Sequence, residues 1–387
     1  MLSYPRVFIS AGERSGDRFG ASLAAAILDI EPDARLFGVG GPQIAAAGVR
    51  VLADTVGHAG MGFRYVFASL DDWLKVFRRC IRQFNGESPD IIVPIDNPGF
   101  NLRLAQHARE RQIPVCYYVS PQVWAWQPRR IHRIGRLVNR MMTILPFEKP
   151  LYDRIGVDCR YVGHPLLDYL ANTRMEEDAK QRFLRDCSAS ERTAVGLLPG
   201  SRLQEIRHTF PLICDAAAVM SRELPQVRFL VAASAPEHAG EIADVLSSRR
   251  LSARILVGKT SEIMQAARVC LVVSGTAALE TAYFGTPMVV IYRAGSWARH
   301  VAPRMLNVKY ISLVNILAGR EVVPEFLKFD DNARGIGEAA LHLLTDEAAW
   351  SKCRTDMDEV VRSLGPAGTS RRAAEAVLDC LNRTHPG

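Results

Sequence analysis

No C-x-x-C pair occurs among the eight cysteines, Cys80, Cys116, Cys159, Cys187, Cys214, Cys270, Cys353 and Cys380. This excludes the common zinc-ribbon and dithiol spacings and reads as reduced, buried thiols of the cytosol. No run of about 20 apolar residues is present, so no segment has the pattern of a membrane-spanning helix. The first ten residues, MLSYPRVFIS, lack the basic start and the long apolar core of a signal peptide, and export is not expected. Low-complexity and collagen-like stretches are missing too. Lysine is scarce beside arginine, and the formal charge is +7. A moderate cationic excess suits nucleic acid, an anionic membrane surface or a phosphorylated substrate, and charge alone does not choose among them. With 48% apolar and 23% charged residues over 387 positions, the chain has the composition of a soluble globular protein too long for one ordinary core.

Short apolar runs alternate with helical patterns: RVFIS, then a helix to Ile30; RLFGVG, then a helix; DIIVPID, then NLRLAQHARERQ; PVCYYVS; MMTILPF; CRYVG. This rhythm predicts parallel strands joined by helices. It pauses over a charged, strand-poor segment, Met175 to Arg192, and resumes with TAVGLLPG, RFLVAAS, ARILVG, VCLVVSG and PMVVIYR. The fold class expected is α/β, with two Rossmann-like domains facing a central cleft. The domain change falls near residues 166–190, giving domains of 1–170 and 171–365. A last helix within 366–387, about Ser370 to Asn382, is expected to pack back on the first domain.

Ligands of such sheets bind at strand-to-helix turns beyond the carboxyl ends of the strands. One such turn, SAGERSGD (Ser10 to Asp17), carries more chemistry than a turn needs. Ser15 as N-cap and Asp17 at the positive helix end explain part of it, and leave Glu13 and Arg14 over. GLLPGSRLQEI (Gly196 to Ile206) ends a strand in Pro199-Gly200-Ser201-Arg202. There Gly200 permits close backbone approach, Ser201 caps, and Arg202 can fork onto phosphate oxygens. A plain Pro-Gly turn with a surface arginine is the bland alternative. The G-K-[ST] ending of a P-loop is missing. VVSGTAALETAYFGTP (Val272 to Pro287) repeats the device with Ser274, Gly275 and Thr276, and Glu280 follows in the helix. Two anion-type turns in one half point to a nucleotide diphosphate, with Glu280 suited to ribose hydroxyls.

FGVGGPQIAAAG (Phe37 to Gly48) fails the dinucleotide pattern at Gln43 and reads as turn packing. Asp96 in VPIDNPGFN ends a buried strand and suits either a general base or a helix cap. Trp124 and Trp126 precede a basic helix, and such a pair serves base stacking, a sugar face, a lipid headgroup layer or ordinary partial burial. The stretch Met61 to Phe84 is amphipathic, with aromatics Phe63, Phe67, Trp73, Phe77 and Phe84 against Arg64, Lys75, Arg78, Arg79 and Arg82. It fits either a membrane or acyl-chain surface or a core helix with a basic outer face. His164 in VGHP reads as structural, and no metal-ligand spacing is present.

With these turns in hand, the chain resembles the lipid-A-disaccharide synthase family. The stretches that carry the likeness are AGERSGD, IDNPGFN, YYVSPQVWAW, LPFEK, VGHP, LLPGSR, SGTAALE, MVVIYR, SLVNILAGRE and VPEFL, in family order over nearly the whole chain. The resemblance implies a GT-B inverting glycosyltransferase. Its donor is UDP-2,3-diacylglucosamine, its acceptor 2,3-diacylglucosamine 1-phosphate, the product a β(1→6) disaccharide 1-phosphate and UDP. It implies no metal and no cofactor beyond the UDP-sugar. By position, Asp96 is the base for the acceptor 6-hydroxyl and Glu13 lies beside the reaction centre. Gly12, Ser15, Gly16, Asp17, Asn101 and Trp124 fall on the acceptor side. Gly200, Ser201, Arg202, Ser274, Gly275 and Thr276 hold the diphosphate, Glu280 the ribose, and Arg293 and Asn315 line the cleft. Acylated substrates imply a cytoplasmic protein peripheral on the anionic inner membrane; nucleic acid is not an expected partner and a homo-oligomer is left open. The family pattern has a small residue at Arg14, Asp at Gly99, Glu at Tyr65 and usually His at Tyr117. These departures lie in the acceptor half, and the alternative they raise is a lapsed or altered-acceptor protein with a regulatory role.

Overall fold

The computed structural model describes residues 4–56, 70–126, 128–292, 309–327 and 332–384. Its strands form two wholly parallel sheets among these residues. The first contains β1 (Arg6–Ala11), β2 (Arg35–Gly40), β3 (Arg50–Asp54), β4 (Ile91–Ile95), β5 (Cys116–Tyr118), β6 (Arg140–Thr143) and β7 (Cys159–Tyr161). Their order is β3-β2-β1-β4-β5-β6-β7. The second contains β8 (Ala194–Leu198), β9 (Arg228–Ala233), β10 (Arg254–Val257), β11 (Val269–Val273), β12 (Met288–Tyr292) and β13 (Glu325–Leu327), ordered β10-β9-β8-β11-β12-β13. Helices cross over between successive parallel strands, so both faces of each sheet are covered. That is why β4, β8 and β11 read as unbroken apolar runs and are buried along their whole length. The α/β class with two Rossmann-like halves is the one expected from the sequence. β3 and β13 were not: RVLAD at the sheet edge is half exposed, and EFL is three residues long.

The chain divides into two units, Met1–Asp168 together with Leu364–Gly387, and Tyr169–Ser363. The first unit is therefore discontinuous. Its closing helix, Thr369–Thr384, packs on the helix Arg14–Ile30 and reaches β5 and β6. Two sets of contacts hold it. The Asp168 carboxylate accepts hydrogen bonds from the amides of Gly368 (2.6 Å), Thr369 (3.1 Å) and Ser370 (2.9 Å), capping the helix start. Farther along, the fully buried side chain of Arg140 donates from Nη1 to the Ala376 carbonyl and to Asp379, both at 2.8 Å, and from Nε to Asp158 at 2.8 Å. Guanidinium geometry suits this fork to two carboxylates, and the buried cation is fully paired.

Removing a buried cation from this arrangement leaves two facing carboxylates and an orphaned carbonyl. Arg140→Ala should lower the stability of the first unit by about 2–3 kcal/mol, below the loss at a fully buried pair because Asp158 and Asp379 keep some water. Urea unfolding followed by tyrosine and tryptophan fluorescence checks this through the midpoint of the first unit's transition.

Candidate active site

In an open parallel sheet the strand order reverses at one place, where crossovers leave in opposite directions and open a crevice at the carboxyl ends. In the first unit this switch point lies between β1 and β4. Gly12 and Glu13 follow β1; Asp96 and Asn97 follow β4. The two turns touch: a Cβ on Gly12 would stand 2.0 Å from Asn97 Nδ2, so any other residue there would push the Asn97 side chain aside. Asp96 (φ +47°) and Asn97 (φ +42°) both adopt the left-handed conformation. Asp and Asn tolerate it best among non-glycine residues, and strain of this kind gathers at functional turns. Val119 just after β5 also has positive φ, +64°, a costlier outlier for a β-branched residue.

The Asp96 turn is tied down through its backbone. Its carbonyl accepts from Tyr117 Oη at 2.6 Å and Asn101 Nδ2 at 2.7 Å, which leaves the carboxyl to be set by its surroundings. Burial first and the Glu13 charge second push that carboxyl up to about 6, against the opposing hydrogen bond of the Asn97 amide. A carboxyl so tuned is largely ionised at neutral pH yet basic enough to take a proton, the balance a general base needs.

Several residues expected on the acceptor side have other work. The Asp17 carboxylate is buried and accepts from the amides of Gly41 (2.7 Å), Gln43 (3.1 Å) and Ile44 (3.2 Å), capping the short helix Pro42–Ala46. Asn101 is fully buried and bonds Ser10 Oγ at 2.6 Å and the Ile95 carbonyl at 3.0 Å as well as Asp96, so it clamps the two strand ends. Ser15 does not cap: the helix begins at Arg14 with Glu13, in extended backbone, at the N-cap. Gly16 has ordinary space around it, its nearest neighbour 3.5 Å away, so no close approach requires a glycine. Trp124 is half-buried and its indole N–H donates to Glu148 Oε1 at 3.1 Å. His164 is buried and accepts from the Leu166 amide, and its pKa falls to about 4 through burial, in line with a structural role.

In the second unit the switch point lies between β8 and β11, and both phosphate-type turns sit there. The turn after β8 begins the helix Leu203–Glu223, with Arg202, not Ser201, as N-cap. Gly200 has φ +99°. Glu205 Oε2 accepts from the amides of Ser201 (3.1 Å) and Arg202 (3.3 Å), while Arg202 Nη1 donates to Oε1 at 3.1 Å. The turn after β11 begins the helix Thr276–Tyr283; Gly275 is its N-cap and no side chain caps it. Gly275 and Thr276 are exposed, Ser274 half-buried, and Glu280 lies half-buried one turn further on.

Asn315 departs most from expectation. Its Oδ1 accepts from the amides of Val322 (2.7 Å) and Val323 (3.0 Å), and its Nδ2 donates to the Val323 carbonyl (2.9 Å) and Glu325 Oε2 (3.0 Å). Every hydrogen-bonding position of the amide is filled within the protein, so it braces a loop instead of meeting a ligand. Arg293 and Tyr65 lie outside the described residues.

The family model for lipid-A-disaccharide synthetase matches residues 7–379. The lipid-A-disaccharide synthase of Geobacter sulfurreducens is 37% identical over 378 residues, covering 98% of each chain. The chain belongs to the lipid-A-disaccharide synthase family. Lipid-A-disaccharide synthases are glycosyltransferases of lipid A biosynthesis, the activity expected from the resemblance. Solved structures agree on the fold: a putative UDP-N-acetylglucosamine 2-epimerase from Listeria monocytogenes superposes with TM-score 0.64 at 11% identity, covering 97% of this chain and 95% of that one. Medicago truncatula UGT71G1 complexed with UDP-glucose gives 0.60 at 14%, covering 98% of both. The two Rossmann-like halves are those of the GT-B class.

Against that family background, three of the four departures are described. Arg14 is exposed, and Gly99 has no neighbour closer than 3.9 Å to where a Cβ would stand, so a side chain would fit. Tyr117, where the resemblance has His, donates to the Asp96 carbonyl. Sequence reasoning missed Glu148 and Glu205, although both lie inside quoted motifs. Glu148 is buried after β6, accepts from Trp124 and the Leu145 amide, and is pushed up to about 7, chiefly by burial. Glu205 was open to detection, because a carboxylate three residues after an N-cap is capping-box spacing. Among the described residues no group of three or more His, Cys, Asp or Glu could hold a metal ion.

The raised Asp96 value has a stability consequence. Folding favours the protonated carboxyl, so its contribution is present below the unfolded value near 4 and is lost as pH rises through about 6. Asp96→Asn removes the ionisation and should be more stable than the parent above pH 6, by up to about 3 kcal/mol, with the gap closing below pH 4. Thermal unfolding at pH 4, 6 and 8 measures it.

Proposed function

We propose that the protein joins UDP-2,3-diacylglucosamine to 2,3-diacylglucosamine 1-phosphate through a β(1→6) bond, with inversion, without a metal ion or added cofactor. What carries the reading is the Asp96 turn: a carboxyl raised to about 6 at the switch point of the first sheet, beside Glu13 and held by its backbone. Sugar-nucleotide use is supported by the UDP-glucose in the Medicago relative of the fold and by the family name of the chain.

In the proposed step Asp96 takes the proton of the acceptor 6-hydroxyl as that oxygen attacks the anomeric carbon. The bond from that carbon to the β-phosphate oxygen breaks on the opposite face, and UDP departs with the electron pair. Negative charge grows on the leaving diphosphate. Amides at the starts of two helices, after Gly200 and after Gly275, with the guanidinium of Arg202, are oriented dipoles and charge that stabilise it. Thr276 and Ser274 add hydroxyl donors, and Glu280 suits the ribose diol. Glu13 orients the acceptor or the anomeric centre. Asp17, Asn101 and Asn315 act through the backbone they hold.

The acylated substrates place the protein on the cytoplasmic face of an anionic membrane. No helix of the described residues is long and apolar enough to cross one, so attachment would be peripheral. Lys75, Arg78, Arg79 and Arg82 supply an exposed basic face on the helix Leu70–Gly86. Its aromatics turn inward: Trp73 stacks on Phe77 at 5.3 Å, and Phe77 meets Phe100 edge-on at 5.9 Å. For these residues the core-helix alternative describes the packing, and attraction to lipid would be electrostatic.

Asp96→Asn should abolish acceptor-dependent UDP release while UDP affinity stays within a few fold, because a base acts only in the transition state. Loss of both together would refute the assignment. The parent rate should climb as pH rises through about 6, as Asp96 ionises. Co-sedimentation with vesicles containing anionic lipid should be strong at low salt and weak at high salt; no binding at low salt counts against the membrane reading.

A further inference from the structure

The two phosphate-type turns of the second unit have the same backbone chemistry but are not in the same state. After β11 the helix start is uncapped, and a Cβ on Gly275 would meet nothing within 4 Å. After β8 the corresponding amides are occupied by a carboxylate of the protein itself. Both Ser201 N and Arg202 N point at Glu205 Oε2, and Arg202 reaches the other oxygen. The turn is shaped around this guest: a Cβ on Gly200 would stand 2.4 Å from the same Oε2. Gly200, expected to let a ligand approach, makes room for Glu205.

We propose that Glu205 is an internal occupant of the anion seat after β8, which the diphosphate of the donor must displace before Arg202 can engage it. This inference rests on the reading above that the turn receives the diphosphate. Two anions cannot share the Ser201 and Arg202 amides, since each N–H has one hydrogen and like charges at hydrogen-bond distance repel. Glu205 is free enough to leave, for its side chain is 29% exposed and that of Arg202 47%. While it stays, it satisfies amides at a helix start that would otherwise need water, and it keeps the guanidinium near its working position. The cost of eviction lowers apparent affinity by the fraction of molecules whose seat is vacant. A nucleoside without phosphate does not meet this competition.

Glu205→Gln tests the idea, because glutamine keeps an oxygen that can cap the helix and loses the charge. Titration calorimetry of the full-length protein with UDP should show about tenfold tighter binding, equivalent to about 1.4 kcal/mol, while uridine, measured by competition, binds as to the parent. Unchanged or weaker UDP binding, with Arg202→Ala still lowering it, would mean that Glu205 only caps the helix or positions the arginine, and the proposal falls while the donor site stands. If Arg202→Ala leaves UDP affinity unchanged, the turn is not a phosphate site and the reading beneath the proposal falls with it.

Discussion

The candidate chemistry of the first unit depends on one buried amide. Asn101, on the helix after β4, binds Ser10 at the end of β1 and the carbonyls of Ile95 and Asp96 at the end of β4. β1 and β4 are paired in parallel up to Ala11 and Ile95. Asn101 adds a side-chain tie between their ends at the point where the sheet's strand order reverses. With the ends fixed, Asp96 and Asn97 can be held left-handed, and Gly12 can pass against Asn97 with no side chain between. The Asp96 turn proposed as general base is then a consequence of local geometry: its backbone is over-determined and its carboxyl answers mainly to burial and to Glu13.

The two units handle negative charge in opposite ways. The first gathers carboxyls at the carboxyl edge of the sheet: Asp96, with Glu13 beside it, and Glu148 are both raised chiefly by burial, so a proton is held easily on them. The second offers helix starts and an arginine, so an anion is held easily there. The proposed acceptor deprotonation and nucleoside diphosphate release would use these two environments in turn. Each unit reaches its own through the same device, a βα turn at a switch point, with the sign decided by whether carboxylates or amides face the crevice.

The fold was legible because strands covered on both faces must be apolar throughout. RVFIS, DIIVPID, TAVGLLPG and VCLVVSG therefore stand out without help from periodicity, while the half-exposed β3 and the brief β13 do not. The positions of the unusual turns were legible too, since polar residues directly after such runs are conspicuous. What those polar groups point at was not. Asp17 bonds amides 24 to 27 residues away, Asn101 reaches back 91 residues to Ser10, and Asn315 closes on a loop seven or eight residues on. A carboxylate or amide aimed at the backbone looks the same in a sequence as one aimed at a ligand. Glu148 escaped notice for a related reason: nothing in LPFEK says that this carboxyl is buried.

The discontinuity of the first unit sets an order on its own making. A ribosome delivers residues 169–363 before the helix Thr369–Thr384 exists, so the later unit can complete its sheet while the earlier one still lacks a covering layer. Until that helix has emerged, Arg140 has Asp158 but neither Asp379 nor the Ala376 carbonyl. The nascent amino-terminal half therefore stays partly uncovered until that helix emerges, which reverses the usual sequence of domain maturation.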